Sequence, residues 1–309
     1  MLTCPESQVE RGMQLRPSEL SSDQLRSAGR NAVLLREAEA IASALEAESI
    51  PALFLKGIAL LETVYTSLVA RAIADIDLLL RAEDLEEASA VLGGCGYVPC
   101  SNAMVLTKSV GRIRVDVDLH ADLWFFGSDK LWRRSRYIGH FVRIRIPCPE
   151  DVVLHCILHS VIQDGKVSQT ALADCRAILE MEEGGFSWDT FAATVAEEGW
   201  EKPVALFLER LEARYPGLVP ETRLRALACS PVRFGQSPSF RWPYLRMFSM
   251  QSRWRRRTQL VLNLLFPHRL FLQRRYSWTP RKLAFLLPVL RPFLLLAECI
   301  SCRLDSSRH

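Results

Sequence analysis

The 309-residue chain is 49% hydrophobic and 24% charged, enough apolar material for one large domain or two medium ones and too much for a disordered segment. Its net charge of +4 conceals an asymmetry: residues 241–309 hold fourteen Lys and Arg against two acids, a balance of +12, which leaves −8 on residues 1–240. Nine irregularly spaced cysteines argue against a disulfide framework, and the N-terminal MLTCPESQVERG lacks the apolar core of a signal peptide, so free thiols in a reducing cytoplasm are expected.

Residues 1–22 are polar and read as a flexible N-terminus. Leu, Ala and Ile recur at spacings of three and four over 23–48, which predicts an amphipathic helix. PALFLKG (51–57) reads as a buried strand running into a turn, 58–68 as a helix, and DIDLLLR (75–81) as a second apolar strand. A helix over 83–92 carries acids in its first turns and is expected to end at Gly93, Gly94 and Gly96. Three strands follow, around Val105–Lys108, Arg112–His120 and Phe141–Ile146. From residue 150 the pattern is helical, with helices expected at 150–163, 170–183, 188–198, 202–214 and 221–228 and several more to 300. The expected fold is α+β: a mixed sheet flanked by helices over 23–148, a helical domain over 149–240, and a basic, apolar helical region over 241–309. In the apolar run 282–300, Pro288, Arg291, Pro292 and Glu298 interrupt the pattern, so no transmembrane span is expected. Cys299 and Cys302 form a lone CxxC, without the second ligand pair a zinc site needs.

Chemistry concentrates on two strands. Alternate residues of a strand share a face, so Asp75 and Asp77 point the same way, and two adjacent carboxylates repel unless a cation lies between them. Mg²⁺ uses one or two carboxylates together with substrate phosphates. In RIRVDVDLH, Arg114, Asp116, Asp118 and His120 share one face and Val115, Val117 and Leu119 the other, so the second strand offers a third carboxylate from Asp116 or Asp118. Lys56 and Gly57 stand at a strand-to-helix turn, where backbone N–H groups can receive phosphate. Arg71 reads either as a phosphate ligand or as a surface charge. His155 and His159 share a helix face, but no acidic third ligand is placed as in HExxH. Asp174 on the next helix either faces the site or caps and packs.

The run LFLKGIALLETVYTSLVARAIADIDLLLRAEDLEEASAVLGGCGY resembles the uncharacterised nucleotidyltransferase family of the polymerase-beta-like superfamily: a Lys-Gly turn, an Arg, an Asp-x-Asp-Leu-Leu, a helix and Gly-Tyr. Asp118-Leu119-His120 matches the family's later Asp-Leu-His. His159 and Asp174 resemble its helical-domain His and Asp, and LFPHRLFLQRRY (265–276) with the apolar stretch ending LRPF resembles its C-terminal signature. The resemblance thus spans about 25–295. Ala74 departs from the Ser or Gly common before the first Asp, and a further helical-domain His is missing near QDGKVSQ.

The resemblance implies a nucleotidyltransferase core with a helical lobe, and a nucleoside triphosphate such as ATP bound with Mg²⁺ or Mn²⁺. Asp75, Asp77 and Asp118 would hold metal. Lys56, Gly57, Arg71, His159 and Asp174 would line the nucleotide site. The acceptor would be a hydroxyl on a peptide natural product, a small molecule or a sugar; relatives accompany clusters for lasso peptides and polysaccharides. The competing readings are a catalytically weak nucleotide- or partner-binding module and an RNA-modifying transferase that docks through the basic C-terminal region. That region is expected to present Arg253, Arg255, Arg256 and Arg257 to an anionic partner or a membrane surface.

Overall fold

The computed structural model describes residues 20–65, 67–100, 104–121, 123, 128–138, 144–181, 185–228, 243–267, 272, 276 and 286–295. Most of residues 1–22, the Cys299/Cys302 pair, Phe141 and much of 282–300 therefore lie outside the described residues.

Helix α1 (Ser22–Ala47) opens with a capping box: Ser21 Oγ accepts from the Gln24 amide at 3.2 Å, and the Gln24 side chain accepts from the Ser21 amide at 2.8 Å. It buries Leu34, Ala38, Ile41, Ala42 and Leu45 as an apolar stripe, with the Asn31 amide at its head and Glu37 within it, bonded to Tyr97 and Lys108. Strand β1 (Ala52–Phe54) leads through Leu55 into helix α2 (Lys56–Thr63), so the expected 51–57 strand is shorter and the helix starts earlier, at the Lys-Gly turn itself. Strand β2 (Ile76–Leu80) begins one residue after Asp75. A short 3₁₀ turn precedes helix α3 (Leu85–Gly94). Gly93 and Gly94 belong to that helix rather than ending it; the exit comes at Gly96, whose φ of +90° a side chain would resist.

Strands β3 (Val98–Pro99), β4 (Val105–Val110) and β5 (Ile113–His120) complete a five-stranded sheet of order β1-β2-β5-β4-β3. β2 and β5 pair in parallel and the other neighbours antiparallel. Helix α4 (Ser128–Arg134) and a hairpin of β6 (Arg136–Ile138) and β7 (Ile144–Ile146) follow. The chain then turns helical: α5 (Pro149–Leu158), which runs into a π-helical turn over His159–Gln163, then α6 (Gln169–Leu179), α7 (Trp188–Glu198), α8 (Glu201–Arg214), α9 (Glu221–Ala228), α10 (Pro243–Met250) and α11 (Trp254–Leu265). Residues 287–295 are helical as well. The architecture is mixed α+β with several helices in the C-terminal half, as the pattern predicts.

Two apolar cores divide the faces of the sheet. Ile76, Leu78 and Leu80 of β2 and Val115, Val117 and Leu119 of β5 join α1 and α3 on one side. Leu53, Leu55 and Leu79 join α5, α6, α7 and α8 on the other. Because side chains alternate, Asp77 shares the Leu79 side, and Asp116, Asp118 and His120 project away from the α1 core. The acidic face thus looks toward the helical half. No helix of the described residues is long and apolar enough to cross a membrane.

Candidate active site

The parallel register sets Asp77 opposite Asp118 and Leu79 opposite His120. Both strands are pinned by fully buried neighbours on the reverse face, so this pairing cannot slip without turning Val117 and Leu119 outward. Asp77 is 2% exposed, and its Oδ1 is shared by Lys56 Nζ at 2.7 Å and His120 Nε2 at 3.1 Å. His120 Nε2 also lies 3.6 Å from Asp118 Oδ2. One ligand atom each of Asp77, Asp118 and His120 fall within 4.8 Å of one another, a spacing that suits a single cation. Asp75 is half-buried immediately before β2.

The electrostatics separate these acids. Burial pushes the Asp77 carboxyl up, but the His120 hydrogen bond and the Lys56 ammonium outweigh it and hold the group well below the usual carboxylate range. Asp75 and Asp118 move the other way. Burial raises both, and the Asp77 charge adds to it. Burial lowers the Lys56 ammonium, and Asp77, Asp75 and Asp118 more than reverse this. Three carboxylates therefore converge on one lysine, and two of them hold their charge at a cost. A divalent cation would remove that cost, and the oxygen-rich donor set with one imidazole fits such an ion.

Lys56 itself stands in an uncommon conformation. Its φ is +45°, in the left-handed region where a side chain is disfavoured. The Leu55 amide bonds the Asp77 carbonyl at 3.0 Å, which brings the first turn of α2 beside β2 and the ammonium onto Asp77. A non-glycine residue held there over a buried carboxylate is the kind of strain that accumulates at functional sites.

Next to it, Arg71 crosses Gly57. A Cβ on Gly57 would come within 2.9 Å of Arg71 Nη1 and of Ile73 Cγ2, so the glycine makes room for the guanidinium. Arg71 Nε bonds Asp174 Oδ1 at 2.8 Å and Oδ2 at 3.0 Å, and the Tyr65 hydroxyl donates to Asp174 Oδ1 at 2.7 Å. Asp174 is 2% exposed and anchors α6 to the segment before β2 through these bonds. Arg71 is not a free surface charge.

The segment 68–74 is fixed from α1. Asn31 Nδ2 donates to the carbonyls of Leu68 at 2.7 Å and Arg71 at 2.6 Å, its Oδ1 accepts from the Ile73 amide at 3.1 Å, and Arg30 Nε donates to the Ile73 carbonyl at 3.1 Å. Asn31 and Tyr65 escaped the sequence reading. The signal for Asn31 was a lone amide heading an apolar helical stripe.

His155 and His159 lie at the end of α5, ring centroids 6.3 Å apart, and His159 Nδ1 is 3.5 Å from Asp164 Oδ2. Burial drives both imidazoles below their ordinary value, and the Lys56 charge adds to it. The end of α5 therefore borders the acidic strands. Asp116, by contrast, is held by Arg114 Nε at 2.7 Å, away from this group.

The C-terminal arginines are largely engaged with the body. Arg253 Nη2 donates to the Ala196 carbonyl at 2.7 Å, Arg256 Nη2 lies 2.6 Å from Glu198 Oε2, and Arg257 Nε donates to the Gln251 carbonyl at 2.8 Å. Arg255 is exposed. The four do not form one outward-facing cluster, because three of them fasten α11 to its neighbours.

Residues 10–216 match the model of a family described as uncharacterised nucleotidyltransferase. The match begins earlier than the resemblance read from the motifs and stops short of the 265–276 run. Among curated proteins none matches the chain. Among solved structures, the chain is similar to an antigenic nucleotidyltransferase-like protein from Paracoccidioides brasiliensis, at 15% identity over 67% of this chain and 94% of that one, with a TM-score of 0.43.

Proposed function

For a chain that belongs to the uncharacterised nucleotidyltransferase family, we propose transfer of a nucleoside monophosphate from a nucleoside triphosphate to a hydroxyl acceptor, with release of pyrophosphate. The observation that carries the reading is the in-register Asp77 and Asp118 pair with Asp75 and His120 beside it, on the sheet face turned toward the helical half. Asp75, Asp77 and Asp118 would hold the divalent cations, Mg²⁺ or Mn²⁺. Such ions neutralise the charge developing on the transferred phosphoryl group.

The protein's own groups supply the rest. Lys56 is close enough to Asp77 to pass from that carboxylate to the triphosphate as a point charge. Gly57 opens the start of α2, whose backbone N–H groups suit a phosphate oxygen. Arg71 keeps Nη donors beside that turn while its Nε stays on Asp174. Asp118, whose carboxyl burial raises above its ordinary value, accepts the proton of the acceptor hydroxyl as its oxygen bonds the α-phosphorus and the bond to the β-phosphate oxygen breaks. His120 orients the acceptor. His159, paired with Asp164, borders the site from the π-helical turn, a feature frequent at functional sites. A peptide, a small molecule or a sugar would each offer the hydroxyl.

The test is pyrophosphate release from each of the four nucleoside triphosphates with Mg²⁺ or Mn²⁺ over a panel of serine-containing peptides, sugars and small alcohols. Transfer that vanishes in Asp77→Asn supports the reading. Nucleotide binding with no transfer in any combination would make the chain a binding module, and transfer to RNA alone would make it an RNA-modifying enzyme.

A further inference from the structure

Three C-terminal helices leave large apolar side chains exposed while each turns an arginine inward beside its apolar core contacts, Met247 and Met250 in α10, Leu260 in α11 and Leu287 in the last helix. A helix packed on a soluble body normally turns apolar residues inward and charges outward. In α10, Arg246 is buried and donates to the carbonyls of Ile162 and Gln163, both at 2.7 Å, while Leu245 and Phe248 are exposed. In α11, Arg256 reaches inward to the buried Glu198 while Trp254, Val261, Leu262 and Phe266 face out. In the 287–295 helix, Arg291 is buried against Tyr276 while Val289, Leu290 and Phe293 are exposed. Ten of the thirteen large hydrophobic side chains exposed among the described residues lie after residue 243.

The outer stripe of α11 is continuous. Trp254, Thr258, Val261, Leu262 and Leu265 stand at i, i+4, i+7, i+8 and i+11, the spacing of one helical face. Its inner side is already occupied by the Glu198 pair, the Arg257 bond to Gln251 and the packing of Leu260 on the core. Trp254 is 69% exposed at one end and Phe266 53% exposed at the other. This region also carries the +12 balance, and the rest of the chain carries −8. The whole feature lies beyond residue 216, outside the family-matched segment.

We propose that this end of the molecule is a docking surface for an anionic lipid bilayer, lying in the interface without spanning it. Apolar and aromatic side chains enter the headgroup boundary, and acid-poor, Arg-rich surroundings attract anionic lipids. Charge complementarity selects lipid over a second copy of the chain, because two such arginine-rich, acid-poor regions repel one another. The +12 region is drawn to the bilayer, while the −8 on residues 1–240 is repelled by it. The site then works on acceptors at or near a membrane.

The experiment is flotation of the full chain with vesicles of phosphatidylcholine alone and of phosphatidylcholine mixed with phosphatidylglycerol, at low and high salt. Wild type should float with the anionic vesicles, less at high salt, and scarcely with the neutral ones. The Trp254→Ser/Leu262→Ser variant should lose vesicle affinity by roughly tenfold or more, since it removes two large apolar groups from the buried face. Its melting temperature should match wild type, because both side chains are exposed. Arg255→Glu should weaken only the anionic component. No flotation with anionic vesicles, or flotation unchanged in the double variant, overturns the proposal. So does a stable dimer in solution that the double variant dissociates, which would assign the stripe to a second copy.

Discussion

Asp77 and Asp118 stand opposite one another in the parallel pairing of β2 and β5, while Asp116, two residues back along β5, is committed to Arg114. Alternation alone could not choose between Asp116 and Asp118, since both share a face. If Asp118 is the metal-binding partner of Asp77, Asp75→Asn, Asp77→Asn and Asp118→Asn should each lower turnover by at least about 10²–10³. Asp116→Asn should lose no more than about 10–100-fold. The comparison is metal-dependent turnover in variants whose circular dichroism matches wild type; a larger loss in Asp116→Asn than in Asp118→Asn reverses the assignment.

The left-handed φ of Lys56 predicts an unusual ranking of substitutions. Lys56→Gly relieves the backbone and Lys56→Ala does not, so the glycine variant should be the more stable of the two by about 1 kcal/mol. Both should raise the KM for nucleoside triphosphate. Equal denaturation midpoints would mean that no strain resides at this turn.

Removing Arg71 leaves Asp174 buried with only the Tyr65 hydroxyl. Arg71→Leu should cost about 3–5 kcal/mol, the usual penalty for an abandoned buried charge. Tyr65→Phe should cost about 1 kcal/mol. A double-mutant cycle between Arg71→Leu and Asp174→Leu measures the coupling by urea denaturation, and additive losses would show that the pair is not energetically linked.

Gly57→Ala puts a methyl group 2.9 Å from Arg71 Nη1. The guanidinium must shift, so the expected loss is in nucleotide affinity more than in stability, where about 1–3 kcal/mol is the usual range for overpacking. A crystal structure of the variant with Arg71 unmoved would refute this.

Acid should weaken the fold through His155. Burial, with the Lys56 charge, holds this imidazole below its unfolded value of 6.5. Below 6.5 the unfolded chain takes up a proton that the folded chain refuses, so stability is full above that pH. It falls on acidification by up to about 1.4 kcal/mol per pH unit until the folded value is reached. His155→Gln should flatten this slope in melting temperatures measured from about pH 7 to about pH 5, a range that brackets the unfolded value of 6.5. An unchanged slope would assign the acid sensitivity to other groups.

The parts of the site carried by short-range periodicity were legible in the sequence. The β5 alternation separates Val115, Val117 and Leu119 from Asp116, Asp118 and His120, and the bounds of α7 and α9 follow from apolar spacing and turn residues. What stayed hidden depends on long-range pairing or on too few residues. The two residues of β3 give no alternation to read. Arg71 meets Asp174 across 103 positions, and no local pattern announces it. Asn31 looked like a helix residue because its work is done on backbone carbonyls of a segment forty positions away. The left-handed turn at Lys56 ran against propensity, which favours glycine there, and local rules commonly fail at functional positions.

Glu198 closes α7 with its carboxylate buried at 1% exposure, held by Lys130 from α4 and by Arg256 from α11. Gln251 and Ser252 bond the carbonyls of Glu198 and Gly199, and so seal the same corner. A chain cut after residue 216 would keep every family-matched position and still lose Arg256, Gln251 and Ser252 together. The matched stretch therefore draws part of its packing from residues beyond it. Its evolutionary boundary and its mechanical boundary differ, and a fragment chosen by the former would leave the buried Glu198 carboxylate with Lys130 as its one remaining ion-pair partner among the described residues.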